Sequence, residues 1–179
     1  MGSRVSFSPE VLKIEEVAQV HEDMAKSLRF YYSAPGLEQR DAKFVGYSIE
    51  DVRRELELRL GELDRNSAFC VLAALEASFR TDFLVRCDKR RKDDLSRSFR
   101  KLYKLKRSRA ALEEEILDAW KHHVPKAKSL ISEIIGAFRY RHWLAHGRYW
   151  VPKLGRSYDY FSVYLLAQNM EQVFQEQSG

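Results

Sequence analysis

Glycine and proline are scarce in this chain of 179 residues, with eight and four copies, and they fall between its periodic segments. No run of about 18 apolar residues occurs, so we expect no membrane-spanning helix. The first ten residues contain no apolar stretch of the kind found in a secretory signal, and we expect none. Gly-rich phosphate loops, HExxH motifs, CxxC pairs and nucleophile elbows are all missing from the sequence, which excludes the enzyme classes that depend on them.

Cysteine is also rare, with Cys70 and Cys87 as the two copies. They lie 17 positions apart in what reads as one helix, and this spacing corresponds to about 25 Å of helical rise, too far for a disulfide between them. We therefore expect reduced thiols, consistent with a cytoplasmic protein. The adjacent pair His122 and His123 diverges by about 100° on a helix and has no further ligands at metal spacing. We predict neither a metal site nor a cofactor.

Apolar residues recur at steps of three and four along most of the chain, which predicts an all-α protein of six or seven helices. Ser8 before Pro9, Ser48 three residues before Asp51, and Asp159 are the expected N-terminal caps, and Gly147 is the expected C-terminal one. The predicted helices cover residues 9–32, 48–63, 67–88, 95–105, 109–122, 126–146 and 160–175, with a break or kink at 64–67 and a cap at Ser108. We expect one helical domain, 48–179, with the helix and loop of 1–47 as a candidate appendage.

The charge of the chain is concentrated in one region. Residues 80–109 carry thirteen Lys or Arg against four Asp, a local net charge of +9, although the whole chain has only +5. Such a block favours a polyanion, with the RNA backbone as the first candidate, while a solvated helical face is the alternative. The predicted RNA contacts are Lys89, Arg90, Arg91, Lys92 and Arg148.

Residues 138–149 gather cationic and imidazole side chains near the end of an expected helix. At about 100° per residue, Arg139, His142 and His146 share one stripe beside the apolar face, and Arg141 borders that face on its other side. The negative end of the helix dipole lowers the cost of collecting positive charge there. A purely structural helix does not need two arginines and two histidines grouped at its end. The segment is therefore our candidate catalytic site.

Cleavage of RNA without a metal needs these residue types. A base must take the proton of the 2′-hydroxyl, an acid must protonate the leaving 5′-oxygen, and a cation must stabilise the transition state. Histidine suits the first two tasks because the pKa of an imidazole lies near neutrality. Arginine suits the third because it stays charged and binds phosphate through two N–H groups.

The run RHWLAHG at 141–147 resembles the motif of the HEPN superfamily (higher eukaryotes and prokaryotes nucleotide-binding), in which an arginine precedes a histidine by four to six residues at the end of a late helix. Arg141 leaves four residues before His146, with His142 in the polar position, and is preferred because this run is the more familiar form. Arg139 leaves six and stays an alternative. Residues 67–150 are also similar to the RiboL-PSP-HEPN group.

This resemblance implies a helical bundle that forms a homodimer with two motifs facing each other and cleaves RNA without metal to a 2′,3′-cyclic phosphate and a 5′-hydroxyl. Many relatives are toxins or antiviral effectors, which implies an antitoxin or defence-system partner. One subgroup has a tyrosine two residues after the histidine that a nucleotidyltransferase modifies. Here Arg148 holds that position and Tyr149 follows it, so this modification is not expected.

The resemblance and the residue pattern together assign different expected roles to the residues of the candidate site. Arg141 and His146 are the main catalytic candidates, and His142 is either a second acid–base group or an orienting residue. Arg139, Glu76 and Tyr149 are supporting candidates, and Glu76 either pairs with one of the two arginines or is a surface acid. Trp143, Tyr149 and Trp150 either stack on bases or pack at a dimer interface.

Three interpretations of the function follow. The chain is a HEPN ribonuclease, a HEPN-like module that binds RNA or a nucleotide without cleaving it, or a helical protein-interaction subunit. The first two require RNA affinity that falls with salt.

Overall fold

The computed structural model describes residues 8, 10–33, 36, 38 and 41–177. Within these residues the chain forms six α-helices and no strand, so the prediction of an all-α bundle of six or seven helices is confirmed. Among these described residues, none of the helices combines the length and the hydropathy that a membrane span requires. The helices are α1 (Ile14–Ser33), α2 (Ile49–Asp88), α3 (Asp94–Lys106), α4 (Asp118–His123), α5 (Lys128–Ala145) and α6 (Tyr160–Glu176).

The long helix α2 forms the centre of the bundle, and α1, α3, α5 and α6 pack against it. Its buried Phe79 makes edge-to-face contacts with Trp120 and Phe174, at ring-centre distances of 6.2 and 5.0 Å. Ile14 and Val17 of α1 are buried in the same core. Full burial of one large apolar side chain contributes about 1.5–3 kcal/mol, so these contacts hold the helices in fixed positions around α2.

The predicted caps of α2 and α6 are confirmed. Ser48 accepts a hydrogen bond from the backbone of Asp51, whose carboxylate accepts from the backbone of Ser48. Asp159 and Ser162 form the same reciprocal arrangement at the start of α6. Each pair satisfies backbone N–H groups that the first turn of a helix leaves without partners.

The predicted break at residues 64–67 is wrong, because α2 runs through it without interruption. Two of the polar residues there, Asp64 and Ser67, contact α1 instead of ending the helix. His21 has its Nδ1 3.0 Å from Oγ of Ser67 and its Nε2 3.6 Å from Oδ1 of Asp64, and it stacks on Tyr160 with ring centres 3.8 Å apart. Burial in this position lowers the pKa of His21.

Two predicted helix starts are also wrong. Helix α1 begins at Ile14, and Ser8 instead accepts a hydrogen bond from the N–H of Glu10; Pro9 lies outside the described residues. The expected helix at 109–122 consists of a π-helical segment, Leu112–Leu117, followed by α4. Ser108 does not cap it, because it lies in a 3₁₀ turn, and the carboxylate of Glu115 accepts the N–H of Ala111 at 2.7 Å.

Candidate active site at the end of α5

Helix α5 ends at the candidate motif because Gly147 follows it in the left-handed conformation, with φ +75°. The N–H of Gly147 donates to the carbonyl of Leu144 at 3.3 Å, and the N–H of Arg148 donates to Trp143 at 3.1 Å. These two bonds form a Schellman motif, so the predicted role of Gly147 is confirmed. The negative end of the helix dipole therefore lies at the turn that carries His142 and His146.

Arg141 lies half-buried between α5 and α2. Its Nη1 forms an ion pair with Oε2 of Glu76, and Oε1 of Glu76 accepts from Nε of Arg80 at 2.8 Å. The guanidinium also lies 5.4 Å from the centre of the Phe138 ring. Of the two roles considered for Glu76, the structure shows the ion pair, which positions Arg141 and compensates part of its charge.

The imidazoles of His142 and His146 lie one turn apart on the exposed side of α5, with ring centres 4.3 Å apart. The Trp150 ring lies 5.9 Å from the first and 6.5 Å from the second. Among the residues that the structure describes, neither imidazole has a side-chain hydrogen bond or an ion pair. The ring nitrogens of both histidines therefore have no partner within the described part of the chain.

Aromatic stacking fixes the loop that follows α5. Nε1 of Trp143 donates to the carbonyl of Trp150 at 2.7 Å. Trp143 stacks on Tyr140 with ring centres 5.8 Å apart, and Tyr140 stacks on Tyr158 at 5.7 Å. Trp143 is thus part of the packing within the chain, whereas Trp150 is only half-buried and lines the cavity beside the motif.

A cavity of about 300 Å³ opens beside the motif, between α5, the loop after it and the π-helical segment. Arg139, the alternative arginine, lines it together with Arg141, and among the described residues it makes no ion pair. Three cationic side chains line the cavity against one carboxylate. Glu76 compensates part of the charge of Arg141, but the lining stays positive and suits a phosphate. The lining residues are Glu113, Phe138, Arg139, Arg141, His142, Trp150, Pro152, Lys153 and Leu154.

Arg148 and Tyr149 have different environments. Arg148 has φ +60°, and its Nη1 donates to Glu62 of α2 at 2.8 Å, which lowers the pKa of the Glu62 carboxyl. Tyr149 is 84% exposed and contacts Trp150 edge-on, with ring centres 4.6 Å apart. The structure therefore places Tyr149 beside the site and holds Arg148 in an ion pair with α2.

The basic block at 89–92 lies at the C-terminal end of α2, away from the cavity. Lys89 is 13 residues beyond Glu76, which is about 20 Å along the helix axis. Lys89, Arg90 and Lys92 are exposed, whereas Arg91 donates to the carbonyl of Gln177 at 2.9 Å. The structure therefore does not bring this block to the candidate catalytic residues, and its contact with RNA stays a prediction.

Sequence reasoning missed two residues of the cavity, Glu113 and Lys153. Both come from segments outside the motif, and a run of three glutamates at 113–115 is no specific signal.

In the part of the chain that the structure describes, no three His, Cys, Asp or Glu side chains lie close enough together to bind a metal ion. Comparison with models of known protein families, with curated proteins and with solved structures gives no match.

Proposed function

We propose that this protein is a metal-independent endoribonuclease of the HEPN type. One observation supports the proposal above all others. The exposed imidazoles of His142 and His146, with ring centres 4.3 Å apart and no protein partner among the described residues, adjoin a cavity lined by Arg139, Arg141 and Lys153. Proton-transfer groups next to a cationic phosphate site are what RNA transesterification requires.

In the proposed reaction, His146 takes the proton of the 2′-hydroxyl and the 2′-oxygen attacks phosphorus. The bond from phosphorus to the 5′-oxygen breaks, and His142 gives that oxygen a proton. Arg141, positioned by Glu76, binds the non-bridging oxygens of the phosphate. The products are a 2′,3′-cyclic phosphate and a 5′-hydroxyl. In this scheme His142 is the second acid–base group and Arg139 a further phosphate contact.

We further propose that two copies associate around a twofold axis with their 138–150 segments facing each other. The exposed Tyr149 and Val151, at 84% and 91%, offer aromatic and apolar surface next to the motif. Isologous association would bring two sets of imidazoles into one cleft. Light scattering at micromolar concentration should give the mass of a dimer, and a monomer would count against this arrangement.

The ion pair of Arg141 with Glu76 favours one alternative function. Because a carboxylate already binds this guanidinium, the chain would be a HEPN-like module that binds RNA or a nucleotide without cleaving it. Salt-dependent RNA binding without any cleavage, with or without added metal, would support this alternative. No RNA binding at low salt would instead favour a protein-interaction subunit.

An RNA-cleavage assay in EDTA tests the proposal. Arg141→Ala and His146→Ala should each lower the rate by at least about a hundredfold. His146→Ala should leave the melting curve unchanged because His146 is exposed at a helix end, whereas Arg141→Ala also removes the ion pair with Glu76 and needs its folded fraction measured beside its rate. His122→Ala is a matched control, since it removes an exposed imidazole from another histidine pair, with ring centres 4.8 Å apart. Arg53→Ala removes an arginine that is exposed and paired on the surface outside the basic block. Full activity of His146→Ala would contradict the site.

The biological setting belongs to the same proposal. An RNA-cleaving enzyme of this type would act in the cytoplasm as a toxin or a defence effector, with an antitoxin or a defence-system protein as its partner. Cys70 and Cys87 are both free thiols in the structure, which is compatible with that compartment. Co-purification of the full chain from its own cells would test for such a partner.

A further inference from the structure

The proposed reaction assigns no role to one carboxylate that lines the cavity. Glu113 lines the cavity, half-buried, at the start of the π-helical segment Leu112–Leu117. Its neighbour Glu115 is engaged by Lys106 at 2.6 Å, and Glu114 is exposed. Among the described residues, Glu113 makes neither an ion pair nor a side-chain hydrogen bond. Its carboxylate oxygens are therefore open to hydrogen-bond donors of a ligand.

The shape and lining of the cavity suit a planar heterocycle. Its volume of about 300 Å³ is at the small end of the range for ligand pockets, enough for one nucleobase. Phe138, Trp150 and Leu154 supply its apolar wall, and an indole ring that lines a cavity is a stacking surface for a base. His142 lines the same cavity. A base bound there would hold its own ribose and phosphate close to the imidazole pair.

A carboxylate distinguishes the four bases by their donors. Guanine offers two adjacent donors, N1–H and the 2-amino group, to the two oxygens of a carboxylate. Adenine and cytosine offer an amino group beside an acceptor nitrogen, which a carboxylate repels. Uracil offers one N–H between two carbonyl oxygens. The carboxylate of Glu113 therefore fits guanine best.

We propose that this cavity is a guanine subsite, in which Glu113 binds the N1–H and the 2-amino group and Trp150 stacks on the ring. This inference rests on the proposed ribonuclease function, and it adds a preference for guanine next to the scissile phosphate. Arg139 and Lys153 then bind the flanking phosphates. Glu113 acts in specificity, whereas the proton transfers belong to the histidines.

Calorimetric titration of the full-length protein with 5′-GMP, 5′-IMP and 5′-AMP tests the subsite without any cleavage. GMP should bind about tenfold to a hundredfold more tightly than AMP, the discrimination typical of a bidentate contact to a base. IMP lacks the 2-amino group and should fall between them. Glu113→Gln should remove the difference, whereas Glu114→Gln, the exposed neighbour, should preserve it. Equal binding of GMP and AMP to the wild type, or no binding of either, would overturn the proposal.

A cleavage assay on short RNAs that contain one guanine separates this inference from the proposed function. Cleavage next to guanine that becomes unselective in Glu113→Gln supports both. Cleavage without guanine preference, together with equal GMP and AMP binding, overturns the subsite and leaves the ribonuclease proposal intact. Selective GMP binding without cleavage of any RNA supports the subsite and refutes the ribonuclease.

Discussion

Substitution of Gly136 by alanine should disturb the packing that holds the site loop. A methyl group at this position in α5 would overlap the hydroxyl oxygen of Tyr158, while the ring carbon Cζ stays at 3.6 Å, an ordinary contact. Tyr158 is only 8% exposed, and it stacks on Tyr140, which stacks on Trp143. The hydroxyl of Tyr158 therefore cannot give way without moving the ring stack beneath the loop.

The size of the effect follows from two opposing contributions. Alanine in place of glycine inside a helix stabilises by about 1 kcal/mol, and overpacking a buried site costs about 1–3 kcal/mol. Gly61→Ala in α2 is the matched control, because its added methyl meets only the flexible end of Arg65, at 3.5 Å. The free energy of unfolding of Gly136→Ala should therefore be about 1–3 kcal/mol lower than that of Gly61→Ala.

Urea denaturation of the two alanine variants measures this difference. The double variant Gly136→Ala/Tyr158→Phe should recover the lost stability, because it removes the overlapping oxygen, whose hydrogen bond to the carbonyl of Glu133 is long at 3.5 Å. If Gly136→Ala is as stable as Gly61→Ala, or if the phenylalanine brings no recovery, the packing argument is refuted.

Three further predictions follow from the charges of the chain. Charge reversal at residues 89–92 should weaken RNA binding and flatten the plot of log affinity against log salt; an unchanged slope in fluorescence anisotropy would show that the block does not bind RNA. Arg86→Met should lower the free energy of unfolding, measured in urea, by about 3–5 kcal/mol, since Arg86 is 1% exposed and pairs at 2.8 Å with Asp82; wild-type stability would contradict this. Burial, with Glu15 nearby, raises the pKa of Glu171 to about 7. Because that pKa is raised on folding from 4.5, its contribution to stability is present at low pH and is lost as pH rises to about 7; Glu171→Gln should flatten the resulting decline between these two pH values, and a decline equal to that of the wild type would refute the assignment.

Helix ends were predictable where a few neighbouring residues supply the hydrogen bonds. Ser48, Gly147 and Asp159 each act through backbone groups within five positions, so their roles could be inferred from local sequence. The continuity of α2 could not be predicted in this way, because polar residues between 64 and 67 serve contacts with another helix. Asp64 and Ser67 contact His21 of α1, and the local sequence pattern does not show that partner.

The candidate site was predictable only as far as one helix supplies it. Periodicity placed His142 and His146 on one stripe, and the structure has their rings 4.3 Å apart. Glu76 and Arg141 are 65 residues apart in the sequence. The sequence therefore left open whether Glu76 pairs with an arginine of the motif or is a surface acid. Glu113 required the fold itself, because a π-helical segment and a loop bring it to the cavity.

Analysis of the product ends formed in EDTA tests the central claim most directly. A labelled RNA incubated with the wild-type protein should yield fragments with a 2′,3′-cyclic phosphate and a 5′-hydroxyl. A single 2′-deoxyribose at the cleaved position should block the reaction, because the attacking oxygen is then missing. Cleavage that stops in EDTA and returns with Mg²⁺ or Mn²⁺, or products with 5′-phosphate ends, would contradict a metal-independent transesterification by Arg141, His142 and His146.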